Sequence, residues 1–282
     1  MPYSLRDRNV LIIGGSRGLG ALVAEKFAAE GSNVAINYMS SRDDAEKVAS
    51  GIASQYGVKT IVIQGVWLLS FRFNEEESKS LTYVSHPDCR MPESKGDCAN
   101  AVNTTIEQLG GLDIIISNAG WTKITEFADL DAMDDADWDK CWSVNVKSSL
   151  HLFKAALPTF NANPEGGAFI ITSSTAGVTP SGSSLPYSVT KAAAIHLMKC
   201  LAKTQGTKVR VNAVLPGLLL TEWGLIRWQG QRFSPEKIED YKSKAALKRV
   251  PEVEDNADMY INIAKNPSIT GQTVQIDAGF AI

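Results

Sequence analysis

Seven short runs rich in Val, Ile and Ala punctuate the chain, and helical patterns fill most of the gaps between them. "NVLIIGG" (9–15) precedes "LGALVAEKFAAEG" (19–31), and "NVAINY" (33–38) precedes a helical pattern through "DDAEKVASGIASQYG". The remaining runs are "KTIVIQG" (59–65), "LDIIISNAG" (112–120), "GGAFIITSS" (166–174), "KVRVNAVLPG" (208–217) and "QTVQIDAG" (272–279). They are nearly continuous in apolar residues, where a half-exposed strand would alternate. That is the signature of strands buried on both faces. Strands that alternate with helices build a parallel, doubly wound sheet with right-handed crossovers. The expected fold is therefore α/β: a single domain over residues 1–282, with about seven parallel strands and helices on both faces. In such sheets ligands bind beyond the carboxyl ends of the strands.

Composition narrows the partners. The net charge of −3 offers no basic excess to recruit nucleic acid or an anionic membrane. No apolar run reaches the length of a membrane span. The start, "MPYSLRDRNVLIIGG", has charge where a signal peptide would carry its apolar core. Four cysteines lack paired C-x-x-C spacing, and three histidines are scattered at 86, 151 and 196. Neither a disulfide framework nor a metal site is expected, and a reduced, cytoplasmic compartment is.

Two short stretches carry chemistry. "GGSRGLG" (14–20) joins the first strand to the first helix. Gly14, Gly18 and Gly20 permit a tight turn and close backbone approach, and the helix start offers free N–H groups and a positive dipole end to a pyrophosphate. In "LPYSVTKAAA" (185–194), Tyr187 stands four residues before Lys191, on one face of an expected helix. An ammonium beside a phenol favours the phenolate, which suits a tyrosine working as acid or base near neutrality. Alone, that spacing matches an ordinary surface helix equally well.

Taken together, "GGSRGLG", "SNAG" (117–120), "SVNV" (143–146), "TSS" (172–174), "YSVTK" (187–191) and "LPG" (215–217) resemble the motifs of the short-chain dehydrogenase/reductase family, in order and spacing. The resemblance spans the chain except about residues 66–95 and implies a Rossmann-type fold that transfers hydride with NAD or NADP. It implies a tetrad of Asn145, Ser174, Tyr187 and Lys191. Tyr187 would be the general acid in reduction and the base in oxidation. Lys191 would lower its pKa and hold the nicotinamide ribose. Ser174 would hydrogen-bond the substrate carbonyl, chosen over Ser173 because it lies thirteen residues before Tyr187. Asn145 would kink a helix and hold a water that relays protons to Lys191.

For the cofactor, the resemblance implies the glycine turn with its Ser16, Arg17 and Leu19, then Asn118, Ala119 and Gly120 after the fourth strand. Pro216 and Gly217 would set the backbone of Leu218–Thr221, including Leu219 and Thr221, beside the nicotinamide. At the end of the second strand stand Asn37 and Tyr38, with no acid before Asp43. A 2′-hydroxyl usually meets an acid there. Arg17 and Arg42, without a carboxylate, suit a 2′-phosphate, so NADP(H) is expected over NAD(H). Trp121, Pro180, Ser181, Trp223, Ile226 and Trp228 fall on the segments that would wall the substrate pocket, which suggests an apolar or aromatic-tolerant space.

The expected activity is the interconversion of a ketone and a secondary alcohol, on a small-molecule substrate. A 3-oxoacyl thioester reductase, suggested by "NYMSSRDDAE", and a non-catalytic dinucleotide-binding regulatory protein are the alternatives. The family commonly forms homodimers or homotetramers through helices that here would span about 137–160 and 186–204. The chain departs from the family at Ile13, where a threonine is usual, and after Gly65, where Val66 replaces an expected aspartate. About thirty aperiodic residues then intervene where a few suffice. Residues 66–90 read better as translated non-coding sequence, such as an unspliced intron, than as an evolved surface excursion. A genuine insert there would lie near the adenine end of the cofactor.

Overall fold

All seven expected strands form one parallel sheet. The computed structural model describes residues 3–65, 93–221 and 235–282. The strands are β1 (Asn9–Ile13), β2 (Asn33–Tyr38), β3 (Thr60–Gln64), β4 (Ile114–Ser117), β5 (Gly167–Thr172), β6 (Val209–Pro216) and β7 (Thr273–Ile276). Their order is β3-β2-β1-β4-β5-β6-β7. The direction of winding reverses between β1 and β4, which opens a crevice at their carboxyl ends.

The continuous apolar runs behave as expected. In β1, Val10 and Ile12 join one core cluster while Leu11 and Ile13 join the other. The first cluster lies under α1 (Gly18–Ala29), α2 (Arg42–Tyr56) and a late helix, α8 (Val253–Lys265). The second lies under α3 (Glu93–Leu109), α5 (Ser148–Ala162) and α6 (Leu185–Gln205). Between them in sequence come α4 (Asp135–Trp142) and α7 (Pro235–Lys244). Asp134 caps α4 and Ser184 caps α6, each accepting a hydrogen bond from the backbone N–H three residues on.

The helix from α4 to α5 is not uniform. Ser143–Lys147 form one π-turn, closed by Ser148 N–H donating to Ser143 O. The irregularity expected around Asn145 is therefore a local widening within an otherwise continuous helix, a device common at functional sites. Most of the interrupted stretch, residues 66–92, lies outside the described residues, as do Trp223, Ile226 and Trp228.

Candidate active site

The glycine turn is as crowded as its residues imply. Gly14 and Gly18 have φ of 70° and 55°, a region that side chains other than glycine rarely adopt. A Cβ on Gly20 would stand 2.1 Å from Gly14 O and 2.8 Å from Asn118 Nδ2. Asn118 Nδ2 donates to Gly14 O at 3.3 Å, so the ends of β1 and β4 are tied across the crevice. Ala119 packs on Gly14. Arg17 takes the N-cap position of α1 without a side-chain cap bond, and no acidic residue occupies the first turn. The first N–H groups of α1 thus keep the polarity that suits an anion. Ser16 and Leu19 are buried beneath the turn, and Arg17 is exposed. A cleft of about 420 Å³ between α1 and α2 reaches Ser16 and Arg17.

The end of β2 is packed into the sheet. Asn37 is buried and its amide donates to Ile63 O at 3.2 Å, which bridges β2 to β3. Tyr38 packs into the first core cluster. Their side chains serve the sheet edge. Arg42 sits in the first turn of α2 and pairs with Glu46 at 2.7 Å, on a surface where such a pair exchanges easily.

The four tetrad residues converge at the carboxyl ends of β4 and β5. Lys191 is 3% exposed, and its Nζ donates to Thr172 O at 2.8 Å. Nζ lies 5.4 Å from the Tyr187 ring centroid. A Cβ on Gly120 would sit in ordinary contact, 3.5 Å from Lys191 Nζ and 3.6 Å from Asn145 Oδ1, which places Gly120 beside both side chains. The two serines part company. Ser173 donates to Lys191 O at 2.9 Å and is spent on backbone. Ser174 is half-buried, accepts from Ala176 N at 3.2 Å, and hydrogen-bonds the Tyr187 side chain.

Asn145 acts on the loop after β4. Its Oδ1 accepts from Trp121 N at 2.8 Å, and its Nδ2 donates to Trp121 O and to Thr190 Oγ1, both at 3.0 Å. Trp121 in turn packs on Cys141, Ala176 and Tyr187. Cys141, which sequence reading passed over, lies in this network. Its thiol donates to Trp121 O, and burial pushes its pKa up to about 11.

Burial dominates the electrostatics. It lowers Lys191 from 10.5 to about 8. It pushes the Tyr187 phenol well above the ordinary value of 10.0, against the opposing hydrogen bond from Ser174. A lowering by Lys191 is expected from the sequence; its ammonium bonds Thr172 O and is not among the groups that shift the phenol, which burial raises.

On the far side of the crevice, Gly217 N–H donates to Ile276 O, continuing the ladder, and the chain runs on until Thr221 meets Gly18. The glycine turn and the segment after β6 are thus brought together at Gly18 and Thr221.

Known proteins resemble this chain in sequence and fold. A family model described as short chain dehydrogenase matches residues 8–66, and one described as Enoyl-(Acyl carrier protein) reductase matches residues 92–281. The chain is 30% identical over 269 residues to the Granaticin polyketide synthase putative ketoacyl reductase 2 of Streptomyces violaceoruber, covering 95% of this chain and 94% of that one. It is 27% identical over 277 residues to a 3-oxoacyl-(acyl-carrier-protein) reductase of Staphylococcus epidermidis, covering 97% and 98%. Among solved structures, a short chain dehydrogenase from Burkholderia cenocepacia in complex with NADP superposes with a TM-score of 0.79 at 27% identity, covering 99% of this chain and 100% of that one. An NADPH-dependent 3-quinuclidinone reductase from Rhodotorula rubra gives 0.79 at 25% identity, covering 98% and 92%.

Proposed function

Given that this chain belongs to the short-chain dehydrogenase/reductase family, we propose that it is an NADP(H)-dependent carbonyl reductase in which Tyr187 donates the proton. The observation that carries this reading is the hydrogen bond between Ser174 and Tyr187, with the buried Lys191 ammonium beside the ring. Two adjacent hydroxyls can meet one carbonyl oxygen. A phenol held above its ordinary pKa keeps its proton at neutral pH, as an acid in reduction must. As the proton leaves, the ammonium stabilises the phenolate. Asn145 holds Trp121 beside the reacting centre.

The crevice suits a dinucleotide. A Cβ on Gly20 would collide with Gly14 O, so the turn stays tight, and α1 opens without a side-chain cap. When bound, the nicotinamide supplies the hydride. Arg17 and Arg42 would meet the 2′-phosphate, and the two NADP-binding structures support that preference. Residues 217–221 would border the nicotinamide. The ketoacyl reductases among its relatives favour a 3-oxoacyl thioester as one substrate class. A protein that binds dinucleotide without turnover is the remaining alternative.

Fluorescence titration with NADPH and NADH, followed by a carbonyl panel that includes a 3-oxoacyl thioester, tests the reading. Tight NADPH binding, weaker NADH binding and turnover abolished in Tyr187→Phe are expected. Binding of neither nucleotide sinks it, and binding without turnover on any carbonyl favours the regulatory alternative.

Three further readings accompany it. Residues 66–90 are translated intron: the two family matches end at 66 and resume at 92. A mature transcript that encodes these residues ends that idea. Homodimers or homotetramers would form through α4–α5 and α6, where Trp142 and Val189 are exposed; a monomer by light scattering would refute this. A cytoplasmic location agrees with there being no membrane-length apolar helix among the described residues.

A further inference from the structure

We propose that Tyr241 is a positioning residue, whose hydroxyl holds the backbone of Leu218–Thr221 in the register that meets the cofactor. The assignment rests on the dinucleotide reading of the crevice and adds a residue outside every family motif in this chain.

The β6–β7 ladder ends at Gly217, whose N–H donates to Ile276 O. Leu218 N–H is the next amide, past the end of the β6–β7 register. A phenol supplies the acceptor. Tyr241 Oη receives Leu218 N–H at 3.4 Å and donates its own proton to Asp277 O at 2.9 Å. One hydroxyl therefore joins the exit from β6, helix α7 and the exit from β7, and its donor is fully committed. The contact also explains Gly217, since a Cβ there would stand 2.3 Å from Tyr241 Oη.

The tail after β7 makes this hydroxyl stationary. The Tyr241 ring stacks on Phe280, centroids 4.4 Å apart and planes within 5°. The Asp277 carboxylate accepts from Gly279 N and Ala281 N, each at 2.9 Å. Ala246 N and Leu247 N donate to Gly279 O and Ala278 O, which ties the end of α7 to the same turn. Ala278 pays with a left-handed φ of 57°. The anchored backbone then reaches the glycine turn, with Thr221 against Gly18. The hub thus fixes one wall of the crevice relative to the other, without itself touching the reacting centre.

Tyr241→Phe removes the hydroxyl and keeps the stack, and Phe280→Leu does the reverse. NADPH dissociation constants, kcat at saturating NADPH and melting temperatures are measured for both and for the wild type. Tyr241→Phe is expected to weaken NADPH binding about fivefold, the effect of losing one neutral hydrogen bond, with kcat unchanged. Phe280→Leu is expected to melt lower and bind NADPH as the wild type does. Unchanged affinity in Tyr241→Phe overturns the assignment. So does an equal loss in Phe280→Leu, which makes the hub a matter of packing. If Tyr241→Phe does not fold, Gly217→Ala, whose Cβ would displace the hydroxyl, replaces it, and NADPH affinity equal to that of the wild type overturns the assignment. A wild type that binds neither NADPH nor NADH overturns the dinucleotide reading itself, a result distinct from either.

Discussion

The two ends of the sheet give their cations different numbers of partners. At the amino ends of the strands, Arg8 pairs with Asp113 at 3.1 Å and with Glu165, and stands over the Tyr3 ring. Arg210 caps the end of α8 through Ile263 O, Ala264 O and Asn266 O. Each charge there has carboxylates or several carbonyls. At the carboxyl ends, Lys191 is more deeply buried and has one carbonyl, with no described carboxylate in ion-pair range. Its pKa falls to about 8; burial also lowers that of Arg210, whereas that of Arg8, beside two carboxylates, rises. A buried cation left undercompensated costs stability, and such sites cluster where chemistry is done. The lower rim is built to hold and the upper rim to react.

Substitutions at the two rims should separate these roles. Tyr187→Phe should cost the largest factor, about 10²–10⁴ in kcat, with NADPH affinity nearly kept, measured by steady-state kinetics and titration. Lys191→Met should also abolish turnover, yet the nucleotide-free variant should be more stable than wild type at pH 7, by roughly 2 kcal/mol in urea unfolding. The sign follows from the lysine. Between about pH 8 and 10.5 the unfolded chain keeps a proton that the folded protein has released, so wild-type stability recovers with rising pH. The gap between variant and wild type should be widest below pH 8 and close by pH 10.5. A variant less stable than wild type at pH 7 would break the comparison.

At the lower rim, Arg8→Ala should destabilise by about 1–2 kcal/mol and leave kcat intact below the melting transition. A fall in kcat at unchanged stability would show that this rim is not merely structural. The smallest effect belongs to the surface pair of Lys265 and Glu30, both partly exposed. Lys265→Ala should change stability by no more than about 0.5 kcal/mol, as read by thermal melts.

How much of this was legible in the chain varies with how local the cause is. Strands β1 to β7 were visible because burial on both faces demands continuous apolar runs. Ser174 was separable from Ser173 only through its spacing to Tyr187; the contact pattern of the two hydroxyls needed the fold. Asn37 and Tyr38 were expected among the cofactor-binding residues from their place at the end of β2; that Asn37 also bridges to β3 and that Tyr38 packs in the core needed the fold. Cys141 and Tyr241 carried no motif, since each matters only through residues distant in sequence.

By itself, the sequence determined the doubly wound sheet, the glycine turn at its switch point and the pairing of Tyr187 with Lys191 on one helix face. Those follow from periodicity, backbone freedom and helical geometry, which act over a few residues. The tertiary structure alone decided that Lys191 would be desolvated to a pKa of about 8, that the phenol would be pushed up and not down, and that a hydroxyl on α7 would meet the exits of β6 and β7. Solvation and long-range hydrogen bonding depend on what surrounds a group in space, and no local pattern encodes that.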